Sequence, residues 1–546
     1  MSAGSTTYEF APEERPMFPG SPYSPQHTLG RRLAYAGMAI LTGVTASFGN
    51  ALVTVNAPSL AGAVGLYAAQ LAWLPAIYVA FNATANLSLV KARARFGIPQ
   101  VTAVLLVAYA LAAALQLAWP TFAAAMLTRA ASGMAAAGLA TLTVYGFLQA
   151  FPARLRPLAL IFGISLTQVG PALARIVPVE LVVADHARGL HLMELGVALA
   201  ALAATTAVRL PPSDRGPAFE RLDLLTIGLT IPGMLLLCGV LSLGRLLWWT
   251  DTPWLGWALA AAVPLLLAAA MIEHYRARPL LQTRWIGTLD MARFAAVAVL
   301  VRVALAEQTY GSVGLLTSGG LNNDQLRTLF AIVAAAMVLG MVVAALTLSE
   351  RRLPYQVLAA AAIIGVAAWL DSHANNLTRP GQLYLSQAMI GFGTTLFIGP
   401  GMVYGFLRMM SRGGDHLVTF VVLFSVTQNL GGLAGSALLG TYQTIAARAH
   451  AGALSERLNA FDPQVAARIQ AGASSLSGAV VDPLARGAQG GGLLGQAMGR
   501  EANILAFNDT FRFVAVLALL TVVYLAYIIV FNTIRRRRAA AAEPAA

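Results

Sequence analysis

Two arginines lie where a membrane-spanning helix would leave them no water. The run that begins at Leu127, LTRAASGMAAAGLATLTVYG, carries Arg129, and RPLALIFGISLTQVGPALARIVP carries Arg175; each stretch is long and apolar enough to cross a bilayer. A guanidinium at the bilayer centre costs at least about 2.5–3.5 kcal/mol, so such residues face a polar interior and mark a pathway. Carboxyls pose the same problem: Glu194 lies several residues into an apolar run, and Glu307 lies well inside VRVALAEQTYGSVG. A carboxyl held away from water disfavours its charged form, which lets it take up and release a proton near neutral pH. Glu307 is the first candidate proton carrier and Glu194 the second, with a structural ion pair as the alternative for each. Arg302 precedes Glu307 by five residues, about 140° around a straight helix, so the partner of Glu307 is expected on another helix, with Arg129 and Arg175 as the candidates. Proton coupling is thus sought among Glu307, Arg129, Glu194, Arg175 and Arg302.

Uncharged polar residues recur at helical spacing. Tyr78, Asn82 and Asn86 are four apart, Ser47, Asn50 and Thr54 fall at three and four, and Ser165, Gln168, Ala172 and Arg175 share a face. Such stripes either line a cavity or join helices by hydrogen bonds worth about 0.6 kcal/mol each. In FSVTQNLGGLAGSALLG, Ser425, Gln428, Asn429 and Gly432 align, while Gly431 and Gly435 form a pair that favours close helix crossing. Candidate substrate-binding residues are Asn50, Tyr78, Asn82, Asn86, Gln168, Gln308, Tyr310, Gln428 and Asn429. Hinges are expected at Gly170-Pro171, where proline removes a ladder hydrogen bond, at Gly133, four residues after Arg129, and at Gly399-Pro400.

The elements that must position these residues follow from composition. Of 546 residues 58% are hydrophobic and 11% charged, against roughly 25% charged in soluble domains, so the chain is expected to be an all-α integral membrane protein. The formal charge of +13 falls mainly in short loops, where it sets topology, and nucleic acid is excluded as a partner. Fourteen apolar runs of about 20 residues can be counted. Residues 1–32 read as a disordered cytoplasmic tail, 33–209 as a six-helix bundle, 210–289 as a linker with an inserted hairpin (223–247 and 254–273), 290–534 as a second six-helix bundle, and 535–546 as a basic tail. Loops carrying Lys91, Arg93 and Arg95, Arg154 and Arg156, Arg215 and Arg221, Arg276, Arg278 and Arg284, Arg351 and Arg352, and Arg408 and Arg412 alternate with loops such as NAPSLAGAVG, which places both termini in the cytoplasm. Residues 446–509 fall on the outer side, with Asp462-Pro463 opening a capped short helix and GAQGGG as a flexible stretch; a lid or a docking surface is expected there.

KARARFGIP after the second run is echoed by SERRLPYQ after the tenth, and duplicated halves with a site between them are a transporter architecture. No G-x-x-x-x-G-K-[ST], H-E-x-x-H or G-x-S-x-G stretch and no Cys/His cluster occurs, so no catalytic residue, metal or cofactor is assigned, and uphill work must come from an ion gradient or a separate subunit. Cys238, the sole cysteine, lies inside an apolar run.

With these residues in place the chain resembles the fourteen-helix drug:proton antiporter branch of the major facilitator superfamily, the EmrB/QacA type, over about residues 33–534. The resemblance rests on Arg129-x-x-x-Gly133, on Gly170-Pro171, on EHYRARPLLQTRW, on TQNLGGLAGSALLGTYQTIAARAH and on REANILAFNDTFR. It implies proton-driven efflux of amphipathic compounds by alternating access from the bacterial inner membrane, Arg129 near the proton site and the 170–171 kink at the interface of the halves. For EmrB-like members it also implies a periplasmic membrane-fusion adaptor and an outer-membrane channel. Asn50 or Ala51 stands near the place of the family's membrane aspartate, and an amide cannot titrate, so the proton site is expected at Glu307. Two intramembrane arginines favour organic anions as substrates. Other readings are an uptake carrier of the same fold for a small organic anion, a membrane-embedded enzyme or lipid scramblase, and a non-transporting subunit.

Overall fold

The computed structural model describes residues 14, 21–213, 219–410, 416–459 and 461–542. Its long helices are α1 (Leu29–Val55), α2 (Ala68–Phe96), α3 (Ile98–Ala118), α4 (Phe122–Ala150), α5 (Arg156–Ile176), α6 (Val179–Ala207), α7 (Arg221–Leu247), α8 (Pro253–Tyr275), α9 (289–318), α10 (Arg327–Leu346), α11 (Leu353–Asp371), α12 (Pro380–Met410), α13 (Leu417–Glu456) and α14 (Pro483–Ala542). Among the described residues thirteen helices are long and apolar enough to cross a membrane, and the chain is a multi-pass membrane protein. The segment not in that group is α9, where Asp290, Arg293 and Arg302 fall in the α-helical part and a π-turn, Glu307–Ser312, follows.

Helix starts follow local chemistry. Thr121 caps α4 by accepting from the Ala124 amide at 3.2 Å, and Pro99, Pro157 and Pro354 occupy first turns, where a missing N–H costs nothing. Two long helices are interrupted. In α5 a 3₁₀ turn at Leu166–Gln168 precedes the restart at Gly170–Ile176, because Pro171 cannot donate to the preceding turn. In α6, Asp185, His186 and Ala187 have positive φ and break the helix near its start.

Helices α1 to α6 pack on one another, with α1 and α2 against α4, and so do α9 to α14, with α12 held between α10 and α11. The two groups meet where α2 packs on α13 and where α5 packs on α10 and α12. Close crossings use glycine: a Cβ on Gly133 would stand 2.6 Å from the Tyr78 carbonyl of α2, and one on Gly399 would stand 2.9 Å from Ile161 of α5. The hairpin α7–α8 leans on α2 and α13 through α7. Its base is tied at the basic end, where Arg276 meets Glu220 at 2.5 Å, Asp223 at 2.7 Å and Glu273 at 3.3 Å, and Lys91 of α2 meets Asp223 at 3.5 Å. The EHYRARPLLQTRW stretch is therefore a structural knot, with Glu273 also accepting from the Leu281 amide at 3.2 Å.

Three expectations change. Residues 1–13 and 15–20 of the anticipated tail lie outside the described residues, but 21–28 are held against the first helical group. Ser21 Oγ pairs with the Tyr145 hydroxyl at 2.8 Å, the Gln149 amide donates to the Tyr23 carbonyl at 2.9 Å, and Pro22 bridges to Ser213. Backbone polar groups paired in this way do not remain free chain. The 446–509 segment is largely helical: α13 runs on to Glu456, Asp462 caps Pro463–Ser475 as expected, and α14 begins at Pro483. The GAQGGG run lies inside α14, because glycines 472 and 490 let Pro463–Ser475 pack closely enough to support it. Of the basic-loop residues, Arg215 and Arg412 lie outside the described residues.

Candidate functional site

A cavity of about 750 Å³ lies between the two helical groups. Its lining extends from Ser21, Arg93 and Arg156 at the end carrying the basic loops to Thr54, Val55, Arg175 and Phe330 toward the opposite, distal end. At the distal end hydrogen bonds join the two groups. Arg175 of α5 donates to Asn323 Oδ1 at 2.6 Å, Asn323 donates to Asn56 Oδ1 at 2.9 Å, and the Val179 amide donates to Asp324 at 3.2 Å. The Arg175 guanidinium lies 4.8 Å from the centre of the Phe330 ring, a contact that suits a cation with little water.

The α2 stripe both lines the cavity and joins helices. Tyr78 donates to the Ala46 carbonyl at 2.7 Å, Asn86 donates to Ser425 at 3.0 Å, and Asn429 donates to Asn82 at 3.4 Å, which ties α2 to α13. Of the residues expected to bind substrate, Asn50, Tyr78, Asn82, Asn86, Gln168, Gln308, Gln428 and Asn429 line the cavity. Tyr310 does not: the π-turn carries it to the far side of α9, where its hydroxyl meets Gln443 at 3.3 Å and Arg245 stacks on its ring. Arg302 reaches the cavity across Gly431 and Gly432, where a Cβ would fall 3.2 Å and 3.0 Å from its side chain, and its Nε donates to the Gln428 carbonyl at 3.0 Å. The small-residue run of α13 thus makes room for a guanidinium at 431–432, while Gly435 makes the close crossing with Val303. Arg93, Arg156, Arg175 and Arg302 line the cavity, and no acidic residue does among the described residues.

The intramembrane carboxyls lie elsewhere. Arg129 is fully enclosed and donates to Glu194 of α6 inside the first helical group, so its partner is Glu194 and not Glu307. Glu307 has neither Arg129 nor Arg175 beside it. The Gln387 amide nitrogen of α12 stands 3.2 Å and 3.3 Å from its two oxygens and 2.7 Å from Asp371 Oδ2 of α11. Gln308 donates in turn to the Gln387 carbonyl at 3.1 Å. The π-turn places neighbouring residues on opposite sides, Gln308 and Thr309 toward the cavity and Glu307 toward α11 and α12. One side-chain amide thus joins the two buried carboxyls. Asp371 and Gln387 escaped the sequence reading, Asp371 because it closes the apolar run 354–371 and so looked like the run's aqueous boundary. Of the expected hinges, Gly170 packs on Ser47, Gly133 on Tyr78, and Pro400 sits within an unbroken helix, Tyr384–Met410.

No family model and no curated protein matches the sequence. Solved structures do match. The human organic anion transporter MFSD10 (TETRAN) superposes with a TM-score of 0.51 at 13% identity, over 90% of this chain and 100% of that one. The major facilitator proton:xylose symporter XylE gives 0.53 at 12%, over 92% and 97%, and the POT family transporter PepTSo gives 0.50 at 12%, over 94% and 99%. At such identities the likeness is one of fold, and the fold is that of the major facilitator transporters.

Proposed function

We propose that this chain is a proton-coupled secondary transporter that exports amphipathic organic compounds by alternating access. The two six-helix halves, 33–209 and 290–534, rock about the cavity, and α9 counts as a fourteenth span. The observation that supports the reading most is the cavity itself. It is large enough for a drug-sized molecule, it is lined by apolar side chains, amides and arginines, and the Arg175–Asn323–Asn56 hydrogen bonds bridge it at the distal end. Arginines without lining carboxylates favour substrates with a negative end. The Glu307–Gln387–Asp371 group is the proton carrier of this reading, and the turn that joins Glu307 to Gln308 is how its protonation reaches the cavity. We further place the protein in the EmrB/QacA-type branch of the bacterial inner membrane, with both termini cytoplasmic and the 446–509 helices available to a periplasmic adaptor.

The test is accumulation of an aromatic organic acid in energised cells that produce the protein, with and without a proton uncoupler. Export predicts low accumulation that rises when the uncoupler is added. Accumulation that falls on uncoupling would instead identify an uptake carrier, and no dependence on the protein or the uncoupler would reject proton-coupled transport of such compounds.

A further inference from the structure

A second, smaller cavity of about 100 Å³ enters the first helical group from the distal end, where the Arg175–Asn323–Asn56 hydrogen bonds cross the main cavity. Its mouth lies among Val64, at the end of the short helix Ala57–Val64 after α1, Leu66 and Pro120, and its floor is Gln116, Arg129 and His191. Walls of leucine and alanine lead to a polar floor, and that floor is incomplete. Gln116 Oε1 and His191 Nδ1 have no hydrogen-bond partner in the protein, nor has Glu194 Oε2, on the residue bonded to Arg129. All three side chains are more than nine-tenths buried. A buried polar group left unpaired costs about 1–3 kcal/mol, and the two on the floor, with the Glu194 oxygen behind Arg129, are tolerable only if water reaches them. At roughly 30 Å³ per molecule the space suits a short file of about three waters.

We propose that this pit is a water-filled proton inlet that serves the Arg129–Glu194 pair from the distal face while the main cavity opens at the basic end. The groups facing Glu194 are Arg129 of α4 and Tyr109 of α3, with Tyr78 of α2 behind the arginine and His191 one turn before Glu194 on α6. A proton arriving on water passes to the His191 ring nitrogen or directly to the free Glu194 oxygen. The carboxylate that gains it becomes a neutral acid, and its ionic bond to Arg129 is lost. Proton and substrate then reach the protein from opposite faces in one conformation, with the Arg129–Glu194 pair closing the inner end of the proton's path. The proton-transfer part rests on the proton-coupled reading above, to which it adds Glu194 as a second proton site in the first helical group beside the Glu307 group in the second, whereas hydration of the pit does not.

The experiment uses the full chain with Cys238→Ser as background. Gln116→Cys places a thiol on the floor of the pit, Ala125→Cys one on its wall, and Asn86→Cys one in the main cavity. Vesicles of each orientation are treated with a membrane-impermeant, positively charged thiol reagent. The first two variants should be labelled from the face bearing the 446–509 helices and Asn86→Cys from the other. Failure of both pit variants to label, or labelling from the basic end, overturns the inlet. Once labelled, Ala125→Cys should lose proton-driven transport but keep substrate exchange at equal pH, and His191→Gln should shift the dependence of transport on distal-side pH. Retention of proton-driven transport after labelling overturns the inlet. If instead the unmodified protein shows no proton-driven transport, the coupled function fails while the labelling pattern still decides whether the pit is wet.

Discussion

Glu307→Gln tests the coupling where it has a quantity attached. Glutamine keeps the length of the side chain and an end that can bond to the Gln387 amide, so a site enclosed by α9, α11 and α12 retains its packing. What it loses is a carboxyl that can take up and release a proton. One proton crossing 100 mV supplies about 2.3 kcal/mol, which at about 1.4 kcal/mol per tenfold sustains a gradient of roughly fifty-fold in a neutral solute. In sealed vesicles with an imposed 100 mV potential and an uncharged amphipathic test substrate, wild-type protein is therefore expected to build a substrate ratio approaching that figure, and Glu307→Gln a ratio near one. Exchange of labelled for unlabelled substrate without a gradient should continue in the variant, because Glu307 itself does not line the cavity and the eight expected substrate-binding residues that do are unchanged. Asp371→Asn should behave alike, since Gln387 bridges both carboxyls. A fifty-fold ratio in Glu307→Gln would refute the assignment; loss of exchange as well would show that the variant had misfolded and move the test to Asp371→Asn.

Further outcomes can be checked directly. Arg129→Leu leaves Glu194 enclosed without its cation and should cost about 3–5 kcal/mol, while Arg129→Leu combined with Glu194→Leu should recover most of it; thermal unfolding in detergent measures both, and equal losses would deny that the pair carries the effect. Asn323→Leu removes the side chain that holds Arg175 to Asn56, so a thiol introduced at Gln168 should become reactive from the distal face, where the wild-type contacts exclude reagent. His27, ahead of α1, has its pKa lowered, by burial first and by the charge of Arg31, against its 2.8 Å bond to Gln149, which raises it. Its neutral form is favoured in the folded state, so the stabilisation is complete above about pH 6.5 and is lost as pH falls below it. Protease cleavage within residues 21–28 should accelerate below that pH, and His27→Ala should remove the dependence.

Much of the architecture was legible in the residues because lipid is an undemanding solvent to read. Every spanning segment must be an apolar helix of about 20 residues, and hydropathy therefore located nearly all of them. The polar stripe Tyr78, Asn82, Asn86 was legible for the same reason, since such groups on a spanning helix have few places to face. Sequence also marked Arg129, Arg175, Glu194 and Glu307 as residues needing polar company. It could not name that company. Periodicity fixes a face along one helix and says nothing about which neighbour covers it, so both Arg129 and Arg175 stand as candidate partners of Glu307 in the sequence, when α6 in fact supplies Glu194 to Arg129 and Asn323 meets Arg175.

The largest errors came where backbone geometry departed from a straight α-helix. The π-turn at 307–312 inserts an extra residue per turn, which separates Glu307 from Gln308 and turns Tyr310 away from the cavity. The glycine run after Arg486 looked flexible alone and is helical because another helix packs on it. The residues alone determined a multi-pass helical membrane protein and which of its side chains could not lie against lipid. Tertiary structure decided their pairings, the separation of the carboxyls from the main cavity and the hydrogen-bonded bridge at its distal end, because each depends on the angle and register at which distant helices meet.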